Sequence, residues 1–254
     1  MMFFLASPLE QFQILPIIPI RLGIFDFSIT NATLIFAFGL FSFIFALISI
    51  LSKQGNFYIV PSRIQYVVEL FYGVVYGLLN DNVGPVAKSF FPYIFTLFTF
   101  ILIANVIGLV PYSFTITSHL ILTFALAFMT FTAINIICVR EHGIKMLGLF
   151  LPPGSSMFLA LLLVPIELVS YIFRPISLSV RLFANMMAGH TLLKVIAGFA
   201  WTMMLAGGGL LIAHLIPALI LVILMLLELG VGIIQAYVFS ILTCIYLNDA
   251  IHLH

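Results

Sequence analysis

LLIAHLIPALILVILMLLELGVGIIQAYVFSILTCIYL, residues 210–247, contains Glu228 as its one charged side chain. About 20 apolar residues cross a hydrocarbon core of ~30 Å as a helix. This run would be about 57 Å long at 1.5 Å per residue. A second run of similar length, Phe158 to Ile196, precedes it across the turn-forming Gly207, Gly208 and Gly209. Either both are helices tilted by roughly 60° from the membrane normal, or Pro165, Pro175 and Pro217 break them into shorter pieces. No polar loop interrupts either run, which favours two long, tilted, kinked helices.

The rest of the chain agrees on class. It is 64% hydrophobic and 7% charged over 254 residues, with a mean hydropathy of +1.31. Ordinary soluble domains are about a quarter charged, so the composition predicts an all-α polytopic membrane protein. A net charge of +1 without a run of Lys or Arg excludes a nucleic-acid footprint. Cys138 and Cys244 lie in apolar runs and no second Cys stands near either, so they read as buried small hydrophobes rather than metal ligands. No metal site, cofactor site or phosphate-cradling GxxxxGK[ST] motif is read from the chain. The segment MMFFLASPLEQFQILPIIPIRLG lacks the basic start of a signal peptide and the Arg and Ser richness of a transit peptide. Insertion then needs no cleaved signal, or synthesis takes place inside the organelle where the chain works.

Spans and breaks predict one integral membrane domain over 1–254. It comprises an N-terminal segment 1–33, a first group of spans in 34–139, an inner loop 140–157 and the long helix pair in 158–254. Leu34 to Leu51 is the first span. Ile64 to Leu79 is shorter, carries Glu69 and reads as an interfacial helix; its Gly73 and Gly77 form a small-xxx-small pair expected to pack on another helix. Phe90 to Val110 and Leu120 to Val139 read as two further spans in a hairpin. With the long pair this makes five membrane-embedded helices. Lys53, Arg63, Lys88, Arg140 and Lys145 fall on one side and Arg21 on the other. Counting positive charges puts the first side inside, with the N-terminus outside and the C-terminus inside.

Polar groups in the long pair are sparse and spaced. Glu167, Arg174 and Arg181 recur every seven residues, close to one helical stripe that drifts about 20° per heptad. Glu228, Gln235 and Asp249 form a similar stripe on the last helix. A central arginine costs roughly 2.5–3.5 kcal/mol even on the mildest insertion scale. The neighbours of Arg181 at i±3 and i±4 are Ser177, Leu178, Ala184 and Asn185, none a carboxylate. Its counter-charge must come from another helix or another chain. Guanidinium does not deprotonate in proteins, whereas Glu167, His190, Glu228 and Asp249 bind and release protons. The pattern is a proton path with a fixed positive barrier in its middle.

The run PISLSVRLFANMMAGH at 175–190, with Glu167 before it, Glu228 and Gln235 after it, and NVIGLVPYSF at 105–114, resembles the subunit a family of the rotary ATP synthase. The resemblance covers nearly the whole chain. It implies a stator beside a ring of small hairpin subunits, each with one membrane carboxylate, and contact with a peripheral stalk and other membrane-sector subunits. It also implies two strongly tilted helices against the ring, and ATP chemistry on partner chains. By the same resemblance Arg181 is the stator arginine. Asn105, Asn185, His190, Glu228 and Gln235 belong to the outer half-channel and its junction with the ring; Glu167 and Asp249 belong to the inner half-channel, with Arg174 in support. His190 with Glu228 resembles the mitochondrial arrangement, and SPLEQF at 7–12 resembles plant, algal or protist mitochondrial versions, implying the mitochondrial inner membrane.

Blander readings stand beside these. Arg181 could pair structurally with Glu228, Arg174 could snorkel to the interface, and Asp249 could simply be solvated near the chain end. Asn105 and Asn185 could be interhelical glue, and His190, Gln235 and the carboxyls hydrogen-bonded packing residues. His119 and His214 show no metal or haem spacing, and Trp201 reads as an interfacial anchor. Two other functions compete with the stator. A self-contained transporter predicts internal repeats and a midplane site; a haem-bearing or assembly subunit predicts paired histidines at matching depth.

Overall fold

A computed structural model of the chain describes residue 10 and residues 12–22, 25–37, 41, 63–110, 114–143, 157–208 and 210–251. Long helices dominate it. After the N-terminal segment come α1 (Arg63–Val83), α2 (Phe91–Gly108), α3 (Leu120–His142), α4 (Met157–Ala206) and α5 (Leu215–Ile251). By length and composition α2, α3, α5 and Leu162–Ala206 of α4 can each cross a membrane, and α1 is not among these. The first expected span, Leu34 to Leu51, falls mostly outside the described residues, which hold only a helical stretch at 31–37 and residue 41.

The two long runs are helices, as their uninterrupted apolarity predicts. α4 continues through Pro165 and Pro175 over 50 residues, about 75 Å at the ordinary rise. α5 covers 37 residues, about 55 Å. Both far exceed the ~30 Å core and so cannot stand upright within it. Pro217 does not break α5, because it sits in the first turn, where the missing N–H has no intrahelical partner to lose. The last run is divided instead at His214, with a single helical turn, Leu210–Ala213, before it. Gly207 (φ 70°) and Gly208 (φ 62°) end α4 in the left-handed region that side chains disfavour.

A small strand system at the N-terminus was not expected from the sequence. β1 (Pro16–Ile18) pairs antiparallel with β4 (Ile29–Thr30), and β2 (Arg21–Leu22) with β3 (Phe25–Asp26). Pro16 and Pro19 oppose helix formation here, and the Ile and Phe residues suit strands. The Thr30 hydroxyl accepts from the Thr33 N–H at 3.3 Å while the Thr33 hydroxyl accepts from the Thr30 N–H at 2.9 Å. This reciprocal cap starts the helix at 31–37. The expected packing at Gly73 and Gly77 of α1 is absent: a β-carbon at either would meet nothing within 4 Å among the described residues.

The chain divides into two compact units: Met1–Asn56, Ile101–His119 and Leu182–Gln235 form one, and Phe57–Phe100, Leu120–Arg181 and Ala236–His254 the other. In the first, Ile101, Leu109, Leu182 and Met186 are buried. In the second, Ile134, Cys138 and Ala250 form a buried cluster with Tyr246 packed against it. Large apolar side chains on the outer faces of the helices, such as Ile121, Met129, Leu162 and Leu226, are exposed, as a lipid-facing surface requires.

Candidate functional site

In the first unit the loop after α2 carries Thr115 in an extended conformation (φ −90°, ψ 110°), starting the single 3-10 turn Ile116–Ser118. Phe114 to Ser118 are all buried; Thr115 and Ser118 find hydrogen-bond partners there, whereas Thr117 Oγ1 has none among the described residues. Ser118 donates twice to the Thr115 carbonyl, from its hydroxyl at 2.6 Å and its N–H at 3.3 Å. The Thr115 hydroxyl lies 3.4 Å from the Gly108 carbonyl and 3.0 Å from Nε2 of His190 in α4.

Glu228 of α5, 6% exposed, brings Oε1 to 3.7 Å from the same His190 nitrogen. That is ion-pair distance but beyond a hydrogen bond. Gly189 makes the approach possible, since a β-carbon there would lie 2.5 Å from Glu228 Oε1. One turn along α5, the Gly232 carbonyl accepts from Nδ2 of the fully buried Asn105 at 3.0 Å. The ring of Phe12 packs edge-on against His190 with centroids 6.3 Å apart. Both Glu228 oxygens and Asn105 Oδ1 are buried without a hydrogen-bond partner among the described residues. An imidazole and a carboxyl this close, beside a hydroxyl and with spare acceptors, can exchange a proton once they close to hydrogen-bond distance.

The second unit holds a different arrangement. Arg174 of α4 lies 3.5 Å from Asp249 of α5. Its guanidinium carbon is 5.3 Å from the centroid of the Tyr171 ring and 4.9 Å from that of Tyr246, cation–π distances for both. Each tyrosine stands one turn before a charge, so tyrosine and charge share a helix face. The Tyr171 hydroxyl donates to Asn135 Oδ1 of α3, and Asn135 Nδ2 donates to the Phe131 carbonyl at 2.9 Å. Phe131, Ile134 and Cys138 complete a pocket lined also by Arg174 and Asp249. The side chains of Arg174 and Asp249 are 24% and 39% exposed, so the bridge is partly solvated and of modest strength. Arg174 is thus both paired and stacked, and Asp249 is paired.

Arg181 is exposed and has no ion pair or hydrogen bond among the described residues. Glu167, Asn185 and Gln235 are half-buried and enter neither cluster by a hydrogen bond or ion pair. His119, at the edge of the buried loop, stacks on Phe114 at 4.9 Å, and burial lowers its pKa. Among the described residues no three His, Cys, Asp or Glu side chains gather closely enough to hold a metal. Reading the sequence missed Thr115, Gly189, Gly232, Asn135, Tyr171 and Tyr246. Signals existed for some: Gly189 adjoins His190, and each tyrosine stands one turn from a charge.

A family model described as ATP synthase A chain matches residues 32–248. The chain belongs to that family. It is 59% identical over 248 residues to the ATP synthase subunit a of Pylaiella littoralis, covering 98% of this chain and 99% of the relative. It is 47% identical over 252 residues to that of Chondrus crispus, covering 99% and 98%, and 48% identical over 252 residues to that of Marchantia polymorpha, covering 98% and 99%. As an ATP synthase A chain it is a multi-pass, proton-translocating subunit of the membrane sector. It is itself non-catalytic, with the catalytic sites on other subunits, and its partners include other membrane-sector subunits.

Proposed function

We propose that the chain is the stator that forms two offset half-channels beside a rotating ring of small subunits, each bearing a membrane carboxylate, with Arg181 as the barrier between the half-channels. The observation that carries this reading is the exposed guanidinium of Arg181, without a partner among the described residues. A permanent cation on an apolar helix needs a counter-charge, and a carboxylate on a neighbouring subunit that has just lost its proton supplies one. Lysine is a poor substitute, because burial lowers its pKa and lets it relay protons. The contact must also be loose: a proton crossing 100 mV supplies about 2.3 kcal/mol, less than a dry ion pair would demand.

His190 and Glu228, with Asn105, Asn185 and Gln235, serve the outer half-channel in this reading. Asp249 and Glu167 serve the inner one, supported by Arg174. Two polar clusters, each with exchangeable groups and each built on both long helices, support that division. The chain acts as one membrane domain against the ring and next to a peripheral stalk. The organellar character of the resemblance favours the mitochondrial inner membrane. The Lys and Arg distribution favours an N-terminus on the intermembrane side and a C-terminus in the matrix.

ATP-driven proton uptake into inside-out vesicles tests the reading, comparing wild type with Arg181→Lys in complexes whose assembly has been verified. Loss of pumping in an intact complex is expected. Undiminished pumping would make the arginine structural and overturn the proposal.

A further inference from the structure

We propose that Thr115 is a positioning residue for His190, its hydroxyl holding the imidazole against Glu228 whether or not Nε2 carries a hydrogen. The inference deepens, and rests on, the reading of His190 and Glu228 as a proton-exchanging pair. One nitrogen, Nε2, faces both groups: Thr115 Oγ1 at 3.0 Å and Glu228 Oε1 at 3.7 Å. A proton exchanged between the pair therefore leaves or reaches the atom that Thr115 contacts. In the forward step the Nε2–H bond breaks and an O–H bond forms on Glu228. Imidazolium and carboxylate become imidazole and carboxylic acid, and net charge is unchanged. The 3.7 Å separation must close by somewhat under ~1 Å for this transfer.

Any fixed partner would favour one protonation state of Nε2. A backbone carbonyl accepts only and an amide N–H donates only, whereas a hydroxyl carries one hydrogen and two lone pairs and rotates to suit. With Nε2 protonated, Thr115 accepts from it until Glu228 closes in to take that hydrogen, and turns its own hydrogen to the Gly108 carbonyl, 3.4 Å away. With Nε2 bare, the same hydrogen swings to the ring. Thr115 keeps its proton throughout, and the imidazole stays in place.

The carbon that bears this hydroxyl is held firmly. Thr115 is 2% exposed, and its carbonyl takes both bonds from Ser118. Its methyl group sits where a β-carbon on Gly108 would come within 2.6 Å of it. The side chain is thus a fixed branch with one free rotor.

The test uses assembled complexes in vesicles and three variants, reading ATP-driven pumping per assembled complex. Thr115→Val keeps the branched shape against Gly108 and removes the hydroxyl; Thr115→Ser keeps the hydroxyl. Losing one hydrogen bond in the exchange step lowers the rate about three- to tenfold, so Val is expected to fall by that factor and Ser to retain most of the wild-type rate. If Val does not assemble, Thr115→Ala provides the same comparison with Ser. Wild-type pumping in the hydroxyl-free variant overturns the inference. Equal losses in Val and Ser also overturn it, since the methyl contact would then be what matters. His190→Ala separates the two levels: wild-type pumping there removes the underlying reading of the pair, whereas its loss together with an unaffected Val variant rejects Thr115 alone.

Discussion

Gly189 sets how closely Glu228 can approach α4. A β-carbon on the glycine would stand 2.5 Å from Oε1 and 2.7 Å from Cδ of that carboxyl, which itself lies 3.7 Å from His190. Alanine in mid-helix ordinarily gains up to about 1 kcal/mol over glycine. The obstructed atoms belong to the far end of a flexible side chain, which can swing aside. Gly189→Ala is therefore expected to assemble normally while displacing Glu228, and pumping per complex should fall severalfold. Equal pumping by variant and wild type at equal assembly would show that the close approach is not used.

The Arg174 site makes a different demand on side-chain shape. Lysine keeps the charge opposite Asp249 but lacks the planar group that stacks on Tyr171 and Tyr246. The exposed half of the bridge limits the ionic contribution, and each ring contact is worth about 0.5–1 kcal/mol at an exposed site. Arg174→Lys should therefore lower the stability of the chain in its complex by about 1 kcal/mol. The same substitution should cost less in a Tyr246→Leu background. A double-mutant cycle on thermal melting of the purified complex measures this; strict additivity would rule out the stacking account.

Asn105 separates glue from channel lining. Its Nδ2 bonds the Gly232 carbonyl, which lies inside α5 and belongs to a regular helical ladder, while its Oδ1 is buried without a partner among the described residues. Replacing an incompletely satisfied polar group by an apolar one of similar shape can be nearly neutral for stability. Asn105→Leu is thus expected to leave the melting temperature close to wild type and to reduce pumping severalfold. A drop in melting temperature, with pumping per assembled complex unchanged, would identify the asparagine as an interhelical bond only.

Particular residues show how far the linear pattern reached. The seven-residue spacing of Glu167, Arg174 and Arg181 places them near one stripe of α4, because helical periodicity is a local property. Their fates then diverge. Arg174 takes Asp249 and two tyrosine rings, whereas Arg181 and Glu167 have no ion pair or hydrogen bond among the described residues. Spacing along one helix carries no information about what another helix brings opposite. Gly73 and Gly77 teach the same lesson from the other side: their spacing permits close packing, and within the described chain no element takes it up.

The sequence alone determined the membrane class, the long final helices, the family and the short set of polar residues from which a proton path must be drawn. Burial of apolar surface, helix length against bilayer thickness and the cost of charge in lipid depend on composition and local order. Tertiary structure alone decided the partnerships: Thr115 with His190, Glu228 against Gly189, Asn105 with Gly232, and Arg174 between two rings beside Asp249. All but the Arg174–Tyr171 stacking, which is one turn of a single helix, are contacts between segments far apart in the chain. Hydrogen bonds and ion pairs form only within a few tenths of an ångström of their proper distances, and helix packing, not residue order, sets distances on that scale.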